Sequence, residues 1–87
     1  MVSQKIIVKN EAGIHARPAG ILAQTAMKCK SEVWLMVGER KVQAKSILNL
    51  MAAAIKKGTE IEVVCEGEEE EEELKKLVEI IESGLGE

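Results

Sequence analysis

Gly13-Ile14-His15-Ala16-Arg17-Pro18-Ala19 joins two unlike patterns, and its reading orders the rest of the chain. Before it, residues 2–9 alternate like a strand, with Gln4, Ile6 and Val8 on one face and Lys5, Ile7 and Lys9 on the other. Asn10 to Gly13 is turn material. Beyond the motif, Ala19, Leu22, Ala23 and Ala26 recur at spacings of three and four, which predicts a helix over 16–27. Pro18 suits that helix only in its first turn, where the missing N–H had no intrahelical partner to lose. His15, the only histidine, is thereby set at or beside the N-cap. Arg17 precedes proline and is biased away from helical dihedrals, a local conflict inside the motif.

The alternation returns at Glu32–Val37, where Val33, Leu35 and Val37 oppose Trp34 and Met36. Gly38-Glu39 is a two-residue hairpin link with glycine at the first turn position, followed by a short returning strand over 40–44. Ser46 reads as the N-cap of a second helix, Ile47 to about Ile55, presenting Ile47, Leu48, Leu50, Met51 and Ala54. Lys56, Lys57 and Gly58 suit its C-terminal end. Thr59–Cys65 is the last strand, with Ile61, Val63 and Cys65 inward. A third helix runs over 68–83 with Leu74, Leu77, Val78 and Ile81 on one side, closed by Gly84. The order β-α-β-β-α-β-α predicts an α+β fold, a four-stranded antiparallel sheet covered on one face by three helices.

The 87 residues make one domain, 1–87, and 46% of them are hydrophobic, enough for a core without metal or disulfide staples. With no Phe or Tyr and one Trp, that core is packed by Ile, Leu, Val, Ala and Met. A formal charge of −3 argues against nucleic acid or an anionic membrane as the main partner. Cys29 and Cys65 form no C-x-x-C pair and read as semi-buried thiols of a reducing compartment. The first residues hold no apolar stretch, and no run is long enough to span a bilayer, so a soluble cytoplasmic protein is expected.

The motif carries the chemistry. A helix N-terminus directs unpaired amides and the positive end of its dipole toward an anion. Gly13 allows a tight turn, Pro18 stiffens the helix start, and Arg17 offers a planar fork of donors suited to phosphate. The same dipole disfavours an imidazolium, which leaves one nitrogen of His15 available as a nucleophile. His15 is thus the candidate phosphoryl acceptor, and Ala16 and Arg17 the candidate phosphate binders. No Walker-type loop, metal-ligand cluster or acid/base pair accompanies them, so the chain reads as a carrier acting on its partners' active sites, with no cofactor and no metal.

Ser46 is a candidate for regulatory phosphorylation, which at a helix N-cap would leave the helix intact and alter a docking surface. Ile47, Leu48 and Met51, with Gly20 of the first helix, are candidates for that surface. A stripe of this kind suits a core equally well, and the residues alone leave both readings open. Glu68–Glu73 reads as a solvated first turn, and Trp34 as packed on a sheet face.

With His15, Arg17, Pro18 and Ser46 placed, the chain resembles the histidine-containing phosphocarrier (HPr) family of the bacterial sugar phosphotransferase system. The likeness covers essentially the whole chain. It rests on Gly-Ile-His-Ala-Arg-Pro-Ala at 13–19 and on Lys45-Ser46-Ile47-Leu48 at the family's separation. It implies an open-faced β-sandwich and a monomer that takes a phosphoryl group from Enzyme I on Nδ1 of His15. The IIA units of sugar permeases would be the acceptors, and Arg17 would help to hold the phosphate. In low-GC Gram-positive relatives, HPr kinase/phosphorylase modifies the motif serine, here Ser46, and the modified form serves a catabolite-control repressor. Ala12 stands where relatives commonly have Ser, Thr or Asn. Asn49 and Ala54 replace frequent glycines, and Ala52-Ala53-Ala54 a common Ser-Leu-Gly. Alanine favours helix over glycine by up to about 1 kcal/mol per site, so a longer or stiffer second helix is expected. Two other readings compete: a signalling protein whose main task is Ser46-dependent repressor binding, and a small α+β binding module with unrelated ligands.

Overall fold

Alternating apolar and polar residues form a sheet with one dry face and one wet face. In the computed structural model, which describes residues 1–86, the elements are β1 (Val2–Ile7), α1 (Ala16–Met27), β2 (Glu32–Val37), β3 (Arg40–Gln43), α2 (Ile47–Ala52), β4 (Glu60–Glu66) and α3 (Glu70–Glu82). The strands lie in the order β1-β4-β2-β3, every neighbouring pair antiparallel. The register places Ile6 beside Ile61, Val63 beside Leu35, and Leu35 beside Val42, and all of these side chains are buried beneath the helices. On the opposite face Trp34 pairs with Val64, and Lys41 Nζ lies 4.3 Å from the Trp34 ring centroid. This is the expected open-faced α+β sandwich.

Leu22, Ala23 and Ala26 of α1 and Leu77, Val78 and Ile81 of α3 close the dry face together with Leu50 of α2. The hairpin between β2 and β3 turns on Gly38 at φ +63°, as its sequence requires. Arg17 is helical despite the proline after it. The burial of Pro18 and Ala19 and the Ala19 N–H to His15 carbonyl bond (2.8 Å) hold that first turn.

The second helix departs from expectation. It ends at Ala52 with Ala53 as C-cap, and Ala54 adopts φ +52°, a conformation that favours glycine. Left-handed backbone costs a non-glycine residue about 1–2 kcal/mol, whereas burying an isoleucine side chain contributes about 1.5–3 kcal/mol. The turn at Ala54 brings Ile55 into the core, 3% exposed, so burial outweighs alanine's helix preference. The expected extension to Ile55 is therefore absent. Of the apolar set on this helix only Leu50 is buried, while Ile47, Leu48 and Met51 are 41%, 79% and 44% exposed.

The glutamate run also differs from a uniformly solvated turn. Glu73 is buried, and its carboxylate accepts from the Lys30 N–H at 2.7 Å and the Ser31 N–H at 3.0 Å. Burial works to raise its pKa, but hydrogen bonding from Ser31 and Lys30, with the Lys45 charge, outweighs it and holds the carboxyl below the ordinary range. Glu70 accepts from the Gly67 N–H at 3.1 Å and pairs with the N-terminal amine at 3.0 Å, so α3 starts at Glu70 and not at Glu68. Beyond α3, Leu85 is fully buried, and the Gly84 carbonyl accepts from Asn10 Nδ2 at 2.7 Å. Both cysteines are free thiols, and burial, aided by neighbouring charge, pushes Cys65 up to about 11.

Candidate functional site

His15 is the N-cap of α1, with extended backbone at φ −94° and ψ −162°, and its side chain is exposed. Its position is set from both sides. Ile14 before it is buried and donates its N–H to the Ile55 carbonyl at 2.9 Å. Pro18 and Ala19 after it are buried against the core. Gly13, at φ +71°, donates to the Asn10 carbonyl at 2.9 Å. A Cβ on Gly13 would be driven into the Ile55 carbonyl oxygen and would lie 2.8 Å from Lys56 Cα. Only glycine satisfies both the backbone angle and this close approach.

Ala16 and Arg17 occupy the first two helical positions, so their amides have no intrahelical acceptor and lie at the positive end of the dipole. Both residues are exposed, as is His15. The three stand together as the sequence motif requires. The arrangement suits an anion attached to the imidazole.

A shallow depression of about 260 Å³ adjoins His15, and Met51, Ala54, Ile55 and Lys56 form one side of it while Ala12 and Ile14 belong to the other. The second helix thus reaches the histidine through its C-terminal end. Met51 is in that wall, and Ile47, one turn away at i−4, continues the exposed apolar strip along the helix. Leu48 is exposed on α2 but does not line the depression. Gly20 is half-buried on α1, and a Cβ there would meet open space. Ser46 caps the other end of α2, its Oγ accepting from the Asn49 N–H at 3.1 Å. Four helical residues, 47–50, separate it from Met51 in the wall of the His15 depression, about 7.5 Å at 1.5 Å per residue.

Lys56 and Ile55 enter the site although no sequence motif includes them. Lys56 carries a sequence signal only as a cation after a helix, and its place beside His15 depends on the turn at Ala54. Among the described residues no group of three or more His, Cys, Asp or Glu side chains could hold a metal ion. No helix of the described residues is long and apolar enough to cross a membrane.

Comparison with known proteins agrees with this geometry. The family model for the HPr component phosphorylation site of the phosphotransferase system (PTS-HPr) matches residues 2–83. The HPr-like protein Crh of Bacillus subtilis is 44% identical over 77 residues, covering 88% of this chain and 91% of the relative. Phosphocarrier protein HPr of Neisseria meningitidis serogroup A is 40% identical over 87 residues, covering 100% of this chain and 98% of the relative. The crystal structure of HPr-C-His from Thermoanaerobacter tengcongensis superposes with a TM-score of 0.94 at 42% identity, covering 100% of this chain and 98% of that one. A histidine held at a helix start, on a sandwich of this topology and with this sequence kinship, leaves one assignment: the chain belongs to the HPr family of phosphocarrier proteins of the phosphotransferase system.

Proposed function

We propose that His15 accepts the phosphoryl group from phospho-Enzyme I through Nδ1 and passes it to the IIA units of sugar permeases in the cytoplasm. The observation that carries this reading is the exposed His15 at the N-cap of a twelve-residue helix whose first two amides lack intrahelical acceptors. In the forward step the imidazole nitrogen forms a bond to phosphorus while the bond from phosphorus to the donor's nitrogen breaks. In the second step an acceptor atom of the IIA unit bonds to phosphorus while the bond from His15 Nδ1 to phosphorus breaks. The Ala16 and Arg17 amides and the Arg17 guanidinium stabilise the phosphoryl oxygens once the group has arrived. The chain acts as a stoichiometric intermediate, and the active sites that lower the barrier belong to Enzyme I and the IIA units.

Docking uses the exposed strip of Ile47, Met51 and Leu48 together with the open face of α1 at Gly20. An apolar patch beside the reacting group gives a partner contact area that the small His15 loop lacks. Ser46 at the head of the same helix is a regulatory phosphosite. A phosphate there would sit at an N-terminus that tolerates it and would place negative charge beside the apolar strip. The name of a 41% identical relative of solved structure, Crh, the catabolite repression HPr of Bacillus subtilis, supports a regulatory role beside transport.

Incubation with phosphoenolpyruvate and Enzyme I tests the carrier reading. The expected result is a mass gain of one phosphoryl group that is acid-labile and absent from His15→Ala. No gain under conditions that charge another HPr would overturn it.

A further inference from the structure

We propose that Arg40 is a positioning residue for phosphoryl transfer, acting on His15 through the turn that ends the second helix; this rests on the carrier reading above. Arg40 opens β3, and its Nη2 donates to the Ala53 carbonyl at 2.6 Å. Ala53 is the buried C-cap of α2, which has no basic residue in its own last turn. A guanidinium from the neighbouring strand therefore stands at the negative end of the helix.

The next residues convert this bond into a placement of the histidine. Ala54 is held at φ +52°, against alanine's preference for continuing the helix. Ile55 then buries its side chain and turns its carbonyl to the Ile14 N–H at 2.9 Å. Gly13 lies against the same carbonyl, and His15 follows directly. Loss of the Arg40 bond removes a restraint on a strained turn, and the relaxation shifts the carbonyl from which the histidine loop hangs. Misplacement of a reacting group by about 1 Å can lower a rate on the order of 100-fold, so a loosened turn is expected to cost about five- to tenfold.

The test compares wild type, Arg40→Met, Arg40→Lys and Lys41→Met in the full chain. Lys41 follows Arg40 on the strand but lies over Trp34, on the sheet face away from the helices. Steady-state charging by Enzyme I and phosphoenolpyruvate supplies kcat and KM, and amide hydrogen exchange reports on the Ile14 N–H. Arg40→Met is expected to lower kcat about five- to tenfold, keep KM within about twofold, and speed Ile14 exchange about tenfold or more. Arg40→Lys should recover most of both effects, and Lys41→Met should match wild type. Unchanged Ile14 exchange, or a raised KM with kcat retained, overturns the proposal, the second because it marks Arg40 as a direct partner contact. Should Arg40→Met fail to fold, the same two readings on Arg40→Lys and Arg40→Gln decide. If wild type takes up no phosphoryl group, the carrier reading fails and the transfer role of Arg40 with it, while Ile14 exchange still reports whether the tether exists.

Discussion

The His15 end and the Glu73 end of this molecule hold loops in place by opposite means. At the His15 end, backbone meets backbone. Ile14 hangs from the Ile55 carbonyl, Gly13 lies flat against it, and Ala54 takes a strained angle so that the carbonyl points the right way. At the other end a side chain does the holding, for the buried Glu73 carboxylate gathers the Lys30 and Ser31 amides. The difference has a functional sense. Backbone anchoring leaves His15 and Arg17 exposed for a visiting anion, whereas the Glu73 arrangement occupies its charged group inside the fold.

Substitutions at the two ends should break this contrast in different ways. The largest effect is expected from Gly13→Ala, which adds a Cβ at φ +71° against the Ile55 carbonyl. A loss of about 3 kcal/mol or more is expected in urea unfolding, together with loss of charging by Enzyme I. A stable, fully active Gly13→Ala would show that the histidine loop is not held by this close approach.

Glu73→Ala comes next, leaving the buried Ser31 amide and the half-buried Lys30 amide without their acceptor and costing about 2 kcal/mol, with His15 charging intact in the folded fraction. The pH dependence has a definite sign. The folded carboxyl titrates below its unfolded value, so its stabilisation is complete above the unfolded pKa, about 4.3, and disappears as pH falls through the folded pKa. The stability gap between wild type and Glu73→Gln should hold steady from neutrality to about pH 5 and close in stronger acid. A gap that instead widens as the solution is acidified would contradict the assignment.

Ala54→Gly should act in the other direction, stabilising by about 1 kcal/mol because glycine takes φ +52° without strain. Calorimetry should show a raised Tm. A lowered Tm would mean that the flexibility glycine adds to the unfolded chain outweighs the strain relieved.

The motif at 13–19 was fully legible because its logic is local. Proline confines itself to a first turn, and the histidine three residues before Pro18 falls at the cap within the span of a single helical turn. The inward face of each strand was legible as well, since alternation specifies which side is dry, whereas the order β1-β4-β2-β3 was not. Less could be read from the second helix, where Ile47, Leu48, Leu50 and Met51 have similar hydrophobicity and only one is buried. Helical spacing identifies a candidate apolar set, but which members face the core depends on how the helix is seated on its neighbours.

Sequence alone thus determined the order of elements, the faces of the strands and the capped histidine, because each follows from contacts within a few residues or from a repeating period. Tertiary structure decided the left-handed Ala54, the burial of Glu73, the reach of Arg40 and the presence of Lys56 beside His15. Each of these joins residues distant along the chain. In each, the local preference of a residue, for helix or for water, yields to a larger free energy available only when the core closes around it.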